Sequence, residues 1–126
     1  MRLKFFILLF SVSLNALAAT PAELLAGYAA QAGQPANAAK GETFFKASHG
    51  QEWQCTSCHG KSPMVGGKHA STDKAIEPLA PAANAKRFTD SAKVEKWFRR
   101  NCKDVLAREC SAAEKADVLA WLMTLR

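Results

Sequence analysis

Cys55-Thr56-Ser57-Cys58-His59 decides how the rest of this chain is read. Two thiols three residues apart, followed at once by an imidazole, make the C-x-x-C-H spacing. On one helical turn, each sulfur can form a thioether with a vinyl group on the same porphyrin edge. The imidazole that follows directs its Nε2 to the iron. The run therefore predicts one covalent haem c held through Cys55 and Cys58, with His59 as the proximal iron ligand. Two other uses of such spacing fit less well. A thioredoxin-like redox motif belongs in a βαβ pattern, which the chain lacks. A zinc site needs a second, closely spaced ligand pair, whereas Cys102 and Cys110 enclose seven residues.

Working outward, the chain has 126 residues, 48% of them hydrophobic and 22% charged. That length fits one domain, and the composition is too apolar for disorder. Seven Gly and five Pro exclude collagen-like and low-complexity character. The first residues are not read as part of the fold. Arg2 and Lys4 precede an apolar run from Phe5 to Leu14, and Ala16 and Ala18 stand in the A-x-A cleavage positions. Residues 1–18 are expected to be a signal peptide, the run being short for a membrane anchor. Residues 19–126 then form the cytochrome domain in the periplasm. Without Arg2 and Lys4, 15 Lys and Arg face 11 Asp and Glu, a net +4. No long basic run occurs, so nucleic acid is not implied.

The domain reads as all-α, with no alternating strand pattern. Thr20-Pro21-Ala22-Glu23 is a capping box, predicting a helix to about Ala32, where Gly33 and Pro35 stop it. Asn37 can cap a second helix through Phe44, Phe45 and Lys46, with Gly41 and Phe45 packing near Trp121. From Ser48 to Thr89 the chain reads as irregular, which a cofactor at its centre would explain. Thr89 or Asp90 then opens a helix containing Val94, Trp97, Phe98 and Asn101. Ser111-Ala112-Ala113-Glu114 opens a terminal helix.

The residue on the far side of the iron is less plain. An electron-transfer cytochrome usually places a downstream Met there. Met64 is too close to His59, and Met123 lies on a core stripe with Ala116, Leu119 and Ala120. His69 sits in a Gly- and Ser-rich loop context, and His49 reads as a surface residue. At about 100° per residue, Val94, Trp97, Phe98 and Asn101 share one helix face. The amide of Asn101 is thus either a ligand or a helix C-cap. Trp97 and Phe98 either line the haem or simply pack. A carbonyl in Pro78-Leu79-Ala80-Pro81 is expected to orient His59 through Nδ1, and Arg87 or Arg100 to meet a propionate. In an exported chain Cys102 and Cys110 are expected to pair, which would contribute about 2–3 kcal/mol.

Several stretches together resemble the small monohaem cytochromes c of the sphaeroides haem protein type. They are Glu23 to Tyr28, Cys55 to Gly60, Ile76 to Pro81, Arg87 to Asp90, Val94 to Trp97, Arg100-Asn101-Cys102 and Glu114 to Asp117. The resemblance implies a class I cytochrome c-like fold and His59 as proximal ligand. It implies Asn101 as the distal ligand of ferric iron and a Cys102–Cys110 disulfide. It implies that the Asn leaves on reduction, and that the open site binds oxygen or nitric oxide. A dihaem cytochrome c and a membrane cytochrome b are the implied electron donors. The region from Ala47 to Gln54 is the least similar, so nothing is carried over for His49 or Trp53. An amide oxygen is a hard, neutral ligand that suits ferric iron better than ferrous, which agrees with release on reduction.

Other functions stay open from the residues. A simple periplasmic electron-transfer cytochrome is the first, although no Met is well placed for it. An oxygen-dependent nitric oxide oxidase is the second. A peroxidase would want distal acid–base groups, for which only Arg100 is a candidate.

Overall fold

Side-chain caps place four of the helices. Thr20 Oγ1 accepts from the Glu23 N–H at 3.2 Å, and Glu23 Oε2 accepts from the Thr20 N–H at 2.8 Å. Ser111 and Glu114 repeat the arrangement at 3.2 and 2.8 Å. Asn37 Oδ1 accepts from the Lys40 N–H and Asp90 Oδ1 from the Lys93 N–H, each at 3.0 Å. Each cap satisfies an N–H that the first helical turn leaves without a partner. The structure is a computed structural model that describes residues 18–126. The leader read at residues 1–18 lies, but for Ala18, outside the described residues.

In order, the elements are α1 (Pro21–Ala32), α2 (Ala38–Lys46), α3 (Cys55–His59), β1 (Gly67–Lys68), β2 (Ala75–Ile76), α4 (Ser91–Leu106) and α5 (Ala112–Thr124). The terminal helix α5 is the spine, packed by both α1 and α2. Four successive residues, Ala116 to Leu119, are buried, as is expected of a helix covered on more than one side. Leu119 and Leu122 form the centre of a core shared with Tyr28, Phe45, Phe88, Val94 and Trp121.

The tightest contact is between α2 and α5. A Cβ on Gly41 would lie 1.9 Å from the Asp117 carbonyl oxygen, so only glycine fits. Asp117 is itself buried, and its Oδ1 accepts from the Asn37 N–H at 2.6 Å. Four residues on from Gly41, Phe45 stacks on Trp121 with ring centroids 5.0 Å apart. The expected packing of Gly41 and Phe45 beside Trp121 is what the fold contains.

Helix α4 is fastened differently. Tyr28 donates a short hydrogen bond to Glu95, and Lys115 Nζ donates to the same carboxylate at 2.9 Å. At the other end, Cys102 is disulfide-bonded to Cys110 with Cα atoms 5.6 Å apart. The buried residues of α4 are Val94, Cys102 and Val105, with Phe98 half-buried between them. Of the face read from the sequence, Val94 and Phe98 turn inward. The inward line is rotated toward Cys102, and Trp97 and Asn101 lie along its exposed edge. Cys102 is held on this side by its bond to Cys110.

The segment from Ser48 to Thr89 is less irregular than its composition suggests. It holds α3 and a two-stranded antiparallel ribbon pairing Gly67 with Ile76 and Lys68 with Ala75. The ribbon lies so close to α3 that a Cβ on Gly67 would fall 1.9 Å from the Cys58 carbonyl oxygen. Buried Pro63 anchors the chain beyond the ribbon, its carbonyl accepting from the N–H groups of Leu79 at 2.9 Å and Ala80 at 3.0 Å.

Replacing Gly41 tests the role of the α2–α5 contact. Helix propensity alone would make Gly41→Ala favourable by roughly 0.5–1 kcal/mol. The collision with the α5 backbone outweighs this, so the expected result is a loss of about 3 kcal/mol, at the upper end of overpacking costs. Chemical denaturation of the haem-loaded protein measures it.

Candidate functional site

The haem-attachment residues occupy one short helix. Gln54 N–H donates to Ser57 Oγ at 3.1 Å, opening α3, and Gly60 closes it in a left-handed conformation with φ 69°. Cys55, Cys58 and His59 therefore stand on a single turn, all half-buried. Cys55 packs against the core, and Cys58 Sγ accepts from the Ala70 N–H at 3.3 Å. Both cysteines are free thiols, and burial pushes Cys55 up to about 11. Thioether formation adds an S–H across a vinyl group, so protonated thiols fit that chemistry. Burial also holds the His59 imidazole down at about 4, the Arg87 charge adding to the effect. It is thus neutral at physiological pH, the form that donates to iron. Its ring lies 6.1 Å from that of Phe45, which ties it to the α2–α5 contact.

The expectation that a carbonyl after Ile76 orients His59 is not met. Of the four carbonyls from Pro78 to Pro81, that of Pro78 accepts from Arg87 Nε at 2.9 Å, and Arg87 Nη2 donates to the neighbouring Glu77 carbonyl at 2.7 Å. A guanidinium fork matches two neighbouring carbonyls better than a single ring N–H does. Asn84 Nδ2 joins the cluster, donating to Glu77 Oε2 at 3.1 Å. Arg87 thus fastens Glu77 and Pro78 through two of its five N–H donors.

The competing ligands divide clearly. Met123 is half-buried against the core. His69 lies in the ribbon turn, with Ser71 N–H donating to its Nδ1 at 3.3 Å and Trp53 edge-on at 6.1 Å. His49 is not the surface residue its neighbours suggested. It is half-buried, bonded through Nε2 to the Phe44 carbonyl at 2.9 Å and stacked on the Phe44 ring at 4.6 Å. Helix α4 ends at Leu106 and its C-cap is Ala107, so Asn101 is an interior helical residue and not a cap. Its amide is exposed and has no hydrogen-bond partner among the described residues.

Trp97 is 43% exposed, with the Arg100 guanidinium 5.3 Å from its ring centroid. Phe98 instead turns inward and meets Tyr28 edge-on at 5.8 Å. The sequence-read residues thus form two sets. Cys55, Cys58 and His59 share α3, and Trp97, Phe98 and Asn101 share α4. A planar group ligated from both sides requires donors on separate elements. The zinc alternative also loses its second ligand pair, because Cys102 and Cys110 are bonded to each other. Two thiols on one turn, a neutral imidazole and the exposed Asn101 amide are a donor set that fits a haem. The Tyr28–Glu95–Lys115 cluster was not foreseen, since no spacing shows that three distant segments meet.

Sequence and structure comparisons place these features among known proteins. A family profile described as Domain of unknown function (DUF1924) matches residues 31–122. Cytochrome c-type protein SHP of Cereibacter sphaeroides is 49% identical over 107 residues, 82% of each chain. Cytochrome c'' of Methylophilus methylotrophus is 49% identical over 80 residues, 64% of this chain and 56% of that one. The solved structure of oxidised SHP, an oxygen-binding cytochrome c, superposes with a TM-score of 0.81 at 47% identity. It covers 86% of this chain and 99% of that one. Oxidised cytochrome c'' gives a TM-score of 0.71 at 39% identity, over 84% and 94% of the two chains.

Removal of the disulfide is expected to cost about 2–3 kcal/mol, from the loop entropy released in the unfolded chain. Denaturation of the Cys102→Ser, Cys110→Ser double variant checks this, with intact haem absorbance confirming that Cys55 and Cys58 still hold the group.

Proposed function

This chain belongs to the family of SHP and cytochrome c'', and from that membership we propose that it is a gas-binding haem protein whose distal amide yields on reduction. Its cofactor is one covalently bound haem, and its fold is that of the class I-like cytochromes. When bound, the haem supplies an iron that exchanges one electron and can take a small ligand opposite the histidine. Cys55 and Cys58 attach it, and His59 donates its neutral imidazole nitrogen from α3.

Asn101 supplies the second donor in the ferric state. The observation that carries this reading is its placement: an interior helical amide, unpartnered, one residue before an anchored Cys102. An amide in that position is neither a cap nor part of a protein hydrogen-bond network. As a hard, neutral oxygen donor it prefers Fe(III) to Fe(II), so arrival of an electron weakens its hold. Trp97, four residues before Asn101 on the same helix, would stand beside the amide at the haem. The ligand that then enters is a diatomic such as oxygen or nitric oxide. Residues 1–18 direct the chain to the periplasm, and a dihaem cytochrome c or a membrane cytochrome b delivers the electron.

Asn101→Ala tests the assignment. An amide holding ferric iron competes with added imidazole, so its removal raises ferric imidazole affinity. The gain is about tenfold if the amide holds the site about nine-tenths of the time. Carbon monoxide affinity of the ferrous form is expected to change little. Equal ferric affinities in the variant and the parent would exclude the amide as ligand.

A further inference from the structure

Three side chains from distant parts of the chain meet where α4 crosses α1 and α5. Glu95 of α4 accepts from the Tyr28 hydroxyl of α1 and, through Oε2, from Lys115 Nζ of α5 at 2.9 Å. The Lys115 ammonium lies 5.4 Å from the Tyr28 ring centroid and 5.7 Å from that of Phe98. Tyr28 is only 4% exposed and stands edge-on to Phe98 at 5.8 Å. Partial burial works against the Glu95 charge. The hydrogen bonds from Tyr28 and Lys115, with the ammonium charge, outweigh it and hold the carboxyl below its ordinary range. Both carboxylate oxygens are therefore engaged, in charge-assisted bonds roughly twice as strong as neutral ones.

Each of the three residues lies in a stretch that carried the family resemblance: Glu23 to Tyr28, Val94 to Trp97, and Glu114 to Asp117. None of the three was assigned a role by the haem chemistry. Their position supplies one. Glu95 precedes Asn101 by six residues, and Cys102 follows it directly. The helix is thus tied to α1 and α5 before the amide, and to the segment leading into α5 after it. A helix tied on both sides of a residue cannot pivot as a body to move that residue. Only the side chain can swing.

We propose that Glu95 is a positioning residue for Asn101. By clamping α4 through Tyr28 and Lys115, it fixes where the amide stands relative to the iron, so that capture and release are rotations of one side chain. The proposal rests on Asn101 being the ferric ligand. With the clamp loosened, α4 pivots about the disulfide and the amide loses grip, while the proximal side is untouched.

The experiment uses the haem-loaded protein and two conservative variants, Tyr28→Phe and Glu95→Gln, each also made with Asn101→Ala. Tyr28→Phe keeps the ring against Phe98 and so preserves packing. Ferric imidazole affinity, ferrous carbon monoxide affinity, reduction potential and melting temperature are read for all. The expected result is a rise in ferric imidazole affinity of about two- to tenfold, the lower part of the coupling range between linked sites. The potential shifts upward, since the ferric state loses part of its ligand, and carbon monoxide affinity stays constant. With Asn101→Ala already present, neither variant adds to the effect. A lowered melting temperature with unchanged ferric affinity would overturn the clamp and leave a purely structural knot. A gain that persists in full without the amide would overturn it as well. No effect of Asn101→Ala by itself would remove the ligand assignment, and the clamp with it.

Discussion

The close approach of α2 to α5 at Gly41 and Asp117 is the contact on which the site depends. With a backbone carbonyl where any side chain would stand, the two helices lock at a spacing that glycine alone permits. That spacing brings Phe45 onto Trp121 and, from its other side, toward His59. The haem-attachment turn is thereby referred to α5. On the opposite flank α5 presents Lys115 to Glu95, so α4 and its amide are referred to the same spine. The attachment turn and the proposed amide donor thus share one mechanical reference.

The two sides are built for different purposes. His59 directly follows the second of two cysteines on its own turn, and burial keeps it neutral. It cannot leave without unmaking α3. Asn101 has no covalent tie, no hydrogen-bond partner among the described residues and a weaker donor atom. In the proposed ligation the imidazole is the permanent donor and the amide the exchangeable one. Axial ligation decides whether a haem shuttles electrons or binds gases, and an exchangeable amide belongs to the second use.

Much of this was legible in the residues. The caps at Thr20, Asn37, Asp90 and Ser111 place four helices because each is a local hydrogen bond between residues three apart. The attachment turn is local too. What was not legible depended on distant partners. The ribbon at Gly67 exists because α3 lies beneath it, which no alternation in a two-residue strand can signal. The bond from Cys102 to Cys110 and the burial of Val105 extend the inward face of α4 beyond the Val94 and Phe98 that apolar spacing shows. His49 looked exposed beside Gly50, yet the Phe44 ring and carbonyl claim it. Arg87 bonds the Pro78 carbonyl and the Glu77 carbonyl beside it, a contact between segments ten residues apart that no spacing rule signals.

The central claim is that the distal position opens when the iron gains an electron, and optical spectroscopy reads this directly. Spectra are taken of the ferric protein, of the dithionite-reduced protein, and of the reduced protein under carbon monoxide. The account expects a broad, high-spin ferrous spectrum that converts fully on carbon monoxide addition. A sharp, low-spin ferrous spectrum indifferent to carbon monoxide would mean that a strong second ligand stays in place, and would contradict release of Asn101.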